Sequence, residues 1–524
     1  MKKYIYILTA ACLTLTSCNG WLTELAPGTS TVDESFTVGE NAIQITNGCY
    51  SPLMYEQNST YYPEWFIGDI ASDDALKGGG GLADGPAYYQ LDNFKTITDN
   101  VFVWDFYRGQ FLGIQRCNFA LKIIQGMEKD DVLTDKLRSR LLGEVYFLRG
   151  YYYFRLVRAF GGVPKVDFWI ENSDQWIQPR ASADAIWELI ISDFQKAEEM
   201  LWKKGEYPAA DLGRATQGAA QAMLLKSYLY RHDYANAEIY GKKVIDSGEY
   251  DLVDDYFFQF LLEGENGKES IFEIQFNYEG YGDYGWGRSS GNFTGILTRS
   301  RNPQYGNGWG FNHPTQNLYN EYENGDPRRD LTIYDPEADV VNNPTAVLAA
   351  SDELYLGNRY LNRKTIWINA DGTFTKLAHQ SRCPLNRKEI RYADVLLMYA
   401  EACVKNGNTG QAEWALEEVR ARARAMSANP ATMLPKFPNY GYTDLEKAIR
   451  HERRVELAME GHRWFDIVRW GVAKEVMDAY KASESIEVRS EMADFQKGKH
   501  ELLPIPLREM DRNKWGQDQQ NPGY

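Results

Sequence analysis

The sequence predicts a mainly α-helical fold: a helical-repeat scaffold that carries an inserted ligand-binding region of loops and short strands. Three observations predict it. Residues 137–160 repeat apolar side chains at helical spacing, and two separate stretches read as pairs of antiparallel helices. The segment between those pairs abandons helical periodicity for glycine and aromatic residues. A chain of 524 residues, 44% of them apolar, can bury a large core.

The chain opens MKKYIYILTAACLTLTSC, in which Lys2 and Lys3 precede an apolar stretch from Tyr4 to Leu15 and small residues before a cysteine. This is the pattern of an export signal, and its apolar stretch is too short to span a bilayer of ~30 Å as a helix. The run Leu15-Thr16-Ser17-Cys18 resembles a lipobox, so residues 1–17 are expected to be removed and Cys18 to carry lipid. An anchor of two or more acyl chains is stable, because each buried methylene contributes about 0.8 kcal/mol. Residues 18–40 are polar and turn-rich and read as a tether, which leaves 41–524 as one domain.

Helical patterning begins near Ala42. Within 137–160, Leu141, Val145, Leu148, Tyr152, Leu156 and Ala159 form one stripe while Tyr146, Phe147, Tyr151, Tyr153 and Phe154 clothe the other faces, so this helix is expected to be buried on most sides. Gly161-Gly162-Val163-Pro164 ends it. In the first helix pair, Ala222, Leu225 and Leu229 are answered, after His232-Asp233-Tyr234, by Ala237, Tyr240, Gly241, Val244 and Ile245. In the second, Tyr392, Val395, Leu396, Tyr399, Ala400 and Cys403 are answered, after Asn406-Gly407-Asn408, by Ala412, Ala415, Leu416, Val419 and Ala423. Both look like tetratricopeptide units, with small residues letting helices approach closely. Their separation predicts a scaffold over about 100–250 and 385–480 with variable loops over about 60–100 and 250–380. Ile271 to Phe276 reads as a strand inside the insertion. The last helical block, 444–478, holds His451-Glu452-Arg453-Arg454-Val455-Glu456, which reads as an interhelix salt-bridge lattice in preference to a catalytic set.

Composition removes several function classes. Acids outnumber bases 73 to 57, for a net charge of −16, and no concentrated basic surface is apparent, which excludes a nucleic-acid partner. Cys49, Cys117, Cys383 and Cys403 lack C-x-x-C spacing and form neither a zinc site nor a disulfide framework, and Cys403 falls on an apolar stripe as a core residue. No metal or cofactor is expected. The 35 tyrosines and 14 tryptophans exceed what a core needs, which leaves rings either for a ligand or for packing between repeat helices.

Four separated blocks carry a family resemblance: the lipidated start with Leu22 and Pro27; residues 144–164 (EVYFLRGYYYFRLVRAFGGVP); 390–425 with 449–471 (ADVLLMYAEA and ERRVELAMEGHRWFDIVRWG); and Leu503-Pro504-Ile505-Pro506 with the terminal Gln520-Asn521-Pro522-Gly523-Tyr524. In order and spacing the chain resembles the SusD/RagB family of outer-membrane nutrient-binding lipoproteins. The resemblance implies a scaffold of four tetratricopeptide units and a loop-rich ligand face. It also implies an outer-surface location above a SusC-like TonB-dependent transporter and capture of oligosaccharides or, in some branches, peptides, without catalysis.

Sugars offer weakly apolar faces ringed by hydroxyls, so their sites combine aromatic platforms with amides and carboxylates. Residues 278–311 supply both. Tyr281, Tyr284, Trp286 and Tyr305 are expected to stack on ligand, with Asp283, Arg288 and Asn292 as polar partners; Trp309, in a Gly-Trp-Gly motif, ranks lower as a scaffold feature. The second segment, 77–94, offers Lys77, Tyr88, Tyr89 and Asn93 around a glycine run. Against every ring stands the alternative that it packs on the scaffold.

Catalytic motifs are weak. Residues 287–291 match G-x-S-x-G but lack the strand before and helix after that a nucleophile elbow needs. His451-Glu452 begins H-E-x-x-H, but Val455 occupies the second histidine position. Residues 264–269 fall short of a P-loop at Glu269. Asp73-Asp74 is the adjacent acid pair in a rim position, where a cap or turn is the expected role. A surface glycoside hydrolase, a RagB-like peptide importer subunit and a protein-binding scaffold therefore remain as alternatives to glycan capture.

Overall fold

A computed structural model of the chain describes residues 36–54, 65–277, 291–301, 308–335, 355–365 and 383–524. The helices are α1 (Gly39–Tyr50), α2 (Pro86–Asp92), α3 (Val101–Gly126), α4 (Asp135–Phe160), α5 (Ala183–Met200), α6 (Gln217–Tyr230), α7 (Tyr234–Asp246) and α8 (Thr294–Thr298). They continue with α9 (Gln316–Glu321), α10 (Pro327–Thr332), α11 (Tyr392–Lys405), α12 (Thr409–Met426), α13 (Leu445–Leu457), α14 (Arg463–Arg469), α15 (Ala473–Ser483), α16 (Ile486–Glu491) and α17 (Leu507–Asn513). Cys18 and the G-x-S-x-G serines lie outside the described residues.

Helices α3, α4, α5, α6 and α7 pack each on the next, and α7 then packs on α11, which packs on α12 and α13. The two helix pairs seen in the sequence are thus neighbours in space, and the residues between them are looped out of one continuous stack. Gly241 makes the junction possible: a Cβ there would lie 2.8 Å from the Tyr399 ring, so the close approach is between pairs, α7 to α11. Helix α4 carries the expected stripe and more, with Leu141, Val145, Phe147, Leu148, Tyr151, Tyr152, Tyr153 and Phe154 all buried. Its Thr134 cap accepts from the Leu137 amide at 3.2 Å, and Gly161, at φ +70°, closes it. Cys403 is fully buried, as expected of a core residue.

Three two-stranded antiparallel sheets pin the looped-out residues to the stack. Strand β1 (Ala75–Gly78) pairs with β3 (Phe311–Pro314) through Ala75↔Pro314, Leu76↔His313 and Gly78↔Phe311. Strand β2 (Ser270–Ile274), the strand read from the sequence, pairs with β6 (Arg387–Arg391). Strand β4 (Ile333–Tyr334) pairs with β5 (Leu361–Asn362).

The charged run on α13 is a buried lattice. Arg453 bridges Asp394 at 2.8 Å and Asp466 at 3.1 Å; Glu452 meets Arg328 at 2.6 Å and Arg420 at 3.0 Å. Glu456 receives Arg328, Arg391 and Arg422 at 3.1, 2.9 and 2.6 Å. Asp73 and Asp74 belong to it too: they sit in a turn, as read, but not on a rim, for both are buried, Arg454 reaching Asp73 at 2.9 Å and Asp74 at 2.8 Å and Arg463 reaching Asp73 at 2.8 Å. Burial alone would raise the Asp73 carboxyl, but the two guanidinium groups outweigh it and hold the group at about 2. Asp74, where burial dominates, is raised.

Candidate functional site

The β1–β3 pairing brings together the two segments singled out in the sequence, and most of their described candidates build the wall between them. Lys77 is fully buried, its amine donating to the carbonyls of Gly78 and Gly81 at 2.9 Å and of Asp84 at 2.5 Å. Burial pulls its pKa down to about 8 against the attraction of Asp84 and Asp92. Lys77 therefore knits the glycine turn and does not face a ligand, a placement the sequence could not show because its acceptors are all backbone. Tyr88 is buried with its ring stacked on Phe66 at 4.3 Å, and Asn93 is buried and donates to the Tyr89 carbonyl at 2.9 Å. Their burial corrects the choice of both as ligand-contacting residues. Tyr89 is half-buried and its hydroxyl donates to Glu491 at 2.6 Å. Trp309 is half-buried edge-on to Phe293 at 5.5 Å, as befits a scaffold residue. Tyr281, Asp283, Tyr284, Trp286, Arg288 and Tyr305 lie outside the described residues.

Asn292 leads to a site the sequence did not show. It lines a solvent-open cleft together with Trp65, Asn312, Asn362, Thr365 and Asn386. Its amide donates to the Leu385 carbonyl at 2.6 Å and accepts from the Thr294 amide at 2.8 Å, which joins α8 to the approach of β6. Trp65 stacks on Phe66 at 3.9 Å and its indole N–H donates to the Thr294 hydroxyl at 3.1 Å, so the ring is fixed in the cleft wall. Asn312, at φ +61° in β3, donates to Asp69 at 3.0 Å. Asp69 also receives the Gly461 amide at 2.8 Å, and burial raises its pKa to about 7. Asn386 donates to Glu273 at 3.0 Å and Gln275 at 2.9 Å.

The charged residues of the lining are committed. Lys364 donates to the carbonyls of Glu456 and Ala458 at 3.1 and 2.8 Å and to Glu460 at 2.6 Å, and burial pulls it to about 8. Glu460 also takes Arg391 at 2.7 Å; burial raises its carboxyl, but Arg391 and Lys364 together leave it lowered. A carboxylate so held is no proton donor to a glycosidic oxygen at neutral pH. A second cleft shares Trp65, Arg387, Lys388 and Glu460 with the first. There burial, aided by Lys226, lowers His462 to about 4, so its ring is neutral. Among the described residues no group of three or more His, Cys, Asp or Glu side chains could hold a metal ion. The cleft thus offers amides and hydroxyls beside an indole, the chemistry that meets hydroxyl groups.

Two family models match the chain: one described as the SusD family over residues 268–524, the other as starch-binding, associating with the outer membrane, over 29–229. The chain belongs to the SusD/RagB family. A SusD-like protein of Formosa agariphila, P2, is 27% identical over 100% of both chains. Among solved structures, a laminarin-binding SusD-like protein is 28% identical, with a TM-score of 0.75 over 93% of this chain and 100% of its own. Surface glycan-binding protein A of Bacteroides fluxus is 25% identical, with a TM-score of 0.76 over 93% and 100%. A SusD homolog from Bacteroides thetaiotaomicron, at 23% identity and a TM-score of 0.77 over 95% and 100%, shares the fold. The fold of this SusD/RagB chain is accordingly the tetratricopeptide-like one the sequence predicts.

Proposed function

We propose that this SusD/RagB protein captures an oligosaccharide at the outer membrane and passes it to a SusC-like TonB-dependent transporter without cleaving it. The observation that carries the reading is the Trp65 cleft, lined by four asparagines and two threonines in a chain whose relatives include a laminarin-binding protein. The absence of catalysis is supported by the commitment of Glu460 and Asp73 to arginines and lysine, which hold both carboxyls lowered. Export and anchoring through Cys18, the tether 18–40 and a single domain over 41–524 belong to the same proposal, as does stacking by Tyr281, Tyr284, Trp286 and Tyr305.

The test is a glycan and peptide binding screen on the purified protein, with product analysis of every hit and with Asn362→Leu, Tyr284→Ala and Trp286→Ala beside the wild type. The expected result is a defined oligosaccharide, bound and unchanged, whose affinity falls at least tenfold in Asn362→Leu and in one or both loop variants. Shortened product would replace capture by hydrolysis, and hits among peptides alone would replace the glycan.

A further inference from the structure

Buried arginines in this protein meet carboxylates: Arg328, Arg391, Arg420, Arg453 and Arg454 each bridge at least one acid. Arg299 does not. It is 3% exposed, its Nε and Nη2 have no hydrogen-bond partner, and the polar side chain it meets among the described residues is the neutral thiol of Cys383. Its position is fixed by Gly295: a Cβ there would lie 3.0 Å from Arg299 Nη2 and 3.4 Å from both Cys383 Sγ and the Thr365 carbonyl. Thr365 and Thr294, the neighbour of Gly295, line the Trp65 cleft, and the Cys383 carbonyl accepts from Asn292, another lining residue. Among the described residues, therefore, no carboxylate compensates the guanidinium that stands behind the cleft wall. Neutral groups of the lining are also unsatisfied, among them the Asn312 Oδ1 acceptor and the Asn362 Nδ2 donor, on side chains that are 1% and 0% exposed. Native folds seldom leave such groups unpaired, and a buried charge without a counter-ion is costly.

We infer that the cleft takes an acidic sugar, one bearing a carboxylate or a sulfate ester, whose negative charge is drawn by Arg299 and whose hydroxyls engage Asn312 and Asn362. The inference rests on the reading of this cleft as the glycan site. A positive charge in a low-dielectric wall acts on a nearby anion with little screening, so the preference belongs to the sugar's charge and is read from it. The unsatisfied donor and acceptor match a hydroxyl, which can accept from one and donate to the other.

The experiment is calorimetric titration of the purified full-length chain with a hexameric oligogalacturonate, a sulfated hexasaccharide and neutral laminarihexaose, for wild type, Arg299→Met and Arg299→Lys. At least one acidic probe is expected to bind tenfold or more tighter than the neutral one, Arg299→Met to lose that preference, and Arg299→Lys to keep part of it. The thermal midpoint of Arg299→Met should equal or exceed that of wild type, since it removes an unpaired buried charge. If that variant does not fold, Arg299→Lys and wild type decide: a preference for the acidic probe in wild type that is weakened in Arg299→Lys supports the inference, and equal affinity for acidic and neutral probes in both overturns it. Equal affinity for acidic and neutral probes, with loss of both in Asn362→Leu, would refute the charge inference and leave glycan capture standing. Failure of every glycan to bind would remove the capture reading and this inference with it.

Discussion

His451 offers a stability measurement that reads the lattice directly. The ring lies between two glutamates, with Nδ1 at 2.6 Å from Glu321 and Nε2 at 3.4 Å from Glu323, and Tyr442 covers it at 5.0 Å. Burial alone would lower its pKa, but the two carboxylates and Glu452 outweigh burial and raise it from 6.5 to about 9. Folded His451 keeps its proton to a higher pH than an unfolded histidine, so its contribution is complete below about pH 6.5 and is lost as pH rises through about 9. A shift of roughly 2.5 units at about 1.36 kcal/mol per unit gives about 3 kcal/mol. Glu323, held at about 2 by His451 and Arg420 against burial, stays ionised throughout that window. The assay is urea unfolding of wild type and His451→Gln at pH 6 and pH 10. Groups common to both proteins cancel in the difference, which should shrink by about 3 kcal/mol between the two pH values. A difference that does not change with pH would mean that the histidine is neutral when folded, and the assignment of the ion pairs would be wrong.

Further substitutions test the scaffold and the wall. Glu456→Leu leaves Arg328, Arg391 and Arg422 without a shared carboxylate and should lower unfolding free energy by about 3–5 kcal/mol in urea, whereas a neutral effect would deny the lattice its role. Lys77→Met deprives three carbonyls of the glycine turn of their donor; a loss of about 1–3 kcal/mol and faster proteolytic nicking within 78–85 are expected, and unchanged nicking would count against it. Gly241→Ala forces the Tyr399 ring away from α7 and should cost about 1–3 kcal/mol, read as a lowered midpoint; an unchanged midpoint would show that the α7–α11 contact is looser than drawn.

What was legible in the sequence followed from periodicity and from charge. The α4 stripe, both helix pairs and the strand at 271 are local patterns, and each appears where the spacing puts it. The run at 451–456 was legible as a lattice because five ionisable side chains within six residues of a helix cannot all reach water when an apolar stack surrounds them. The cleft was not legible. Trp65, Asn292, Asn312, Asn362 and Asn386 come from five separated segments, brought to one place by the strand pairings β1–β3, β4–β5 and β2–β6 and by the hydrogen bonds of Trp65 to Thr294 and of Asn292 to Leu385. Trp65 fell within the loop range 60–100 and Asn292, Asn312 and Asn362 within 250–380, but Asn292 alone fell inside 278–311, a stretch from which ligand contacts were chosen. Lys77 and Tyr88 were in such a stretch and point inward, since composition records that rings and cations are present but not which side of a wall they occupy. Asp73 and Asp74 were similarly opaque, because Arg454 stands 380 residues from Asp74 in the chain.

The lattice also reaches the site. Lys364 and Glu460, which line the cleft, join it to Arg391, and Arg391 joins Glu456 and through it Arg328 and Arg422. Apolar packing could hold these helices together at least as well, because burying ions often costs more than their attraction returns. What apolar contacts lack is direction: the three donors of Lys364 fix residues 362–365 against the α13–α14 turn, and thereby fix Asn362 and Thr365 in the cleft. A double-mutant cycle separates the two contributions. Glu460→Met should destabilise strongly, since it strands the Lys364 ammonium among carbonyls, and Lys364→Met less so, since Arg391 still holds Glu460 at 2.7 Å; the double variant should recover much of the larger loss. Binding of the captured glycan should not recover, because the segment carrying Asn362 has lost its tether. A double variant that regains both stability and affinity would show that the pair supplies only folding energy and that the cleft is shaped by something else.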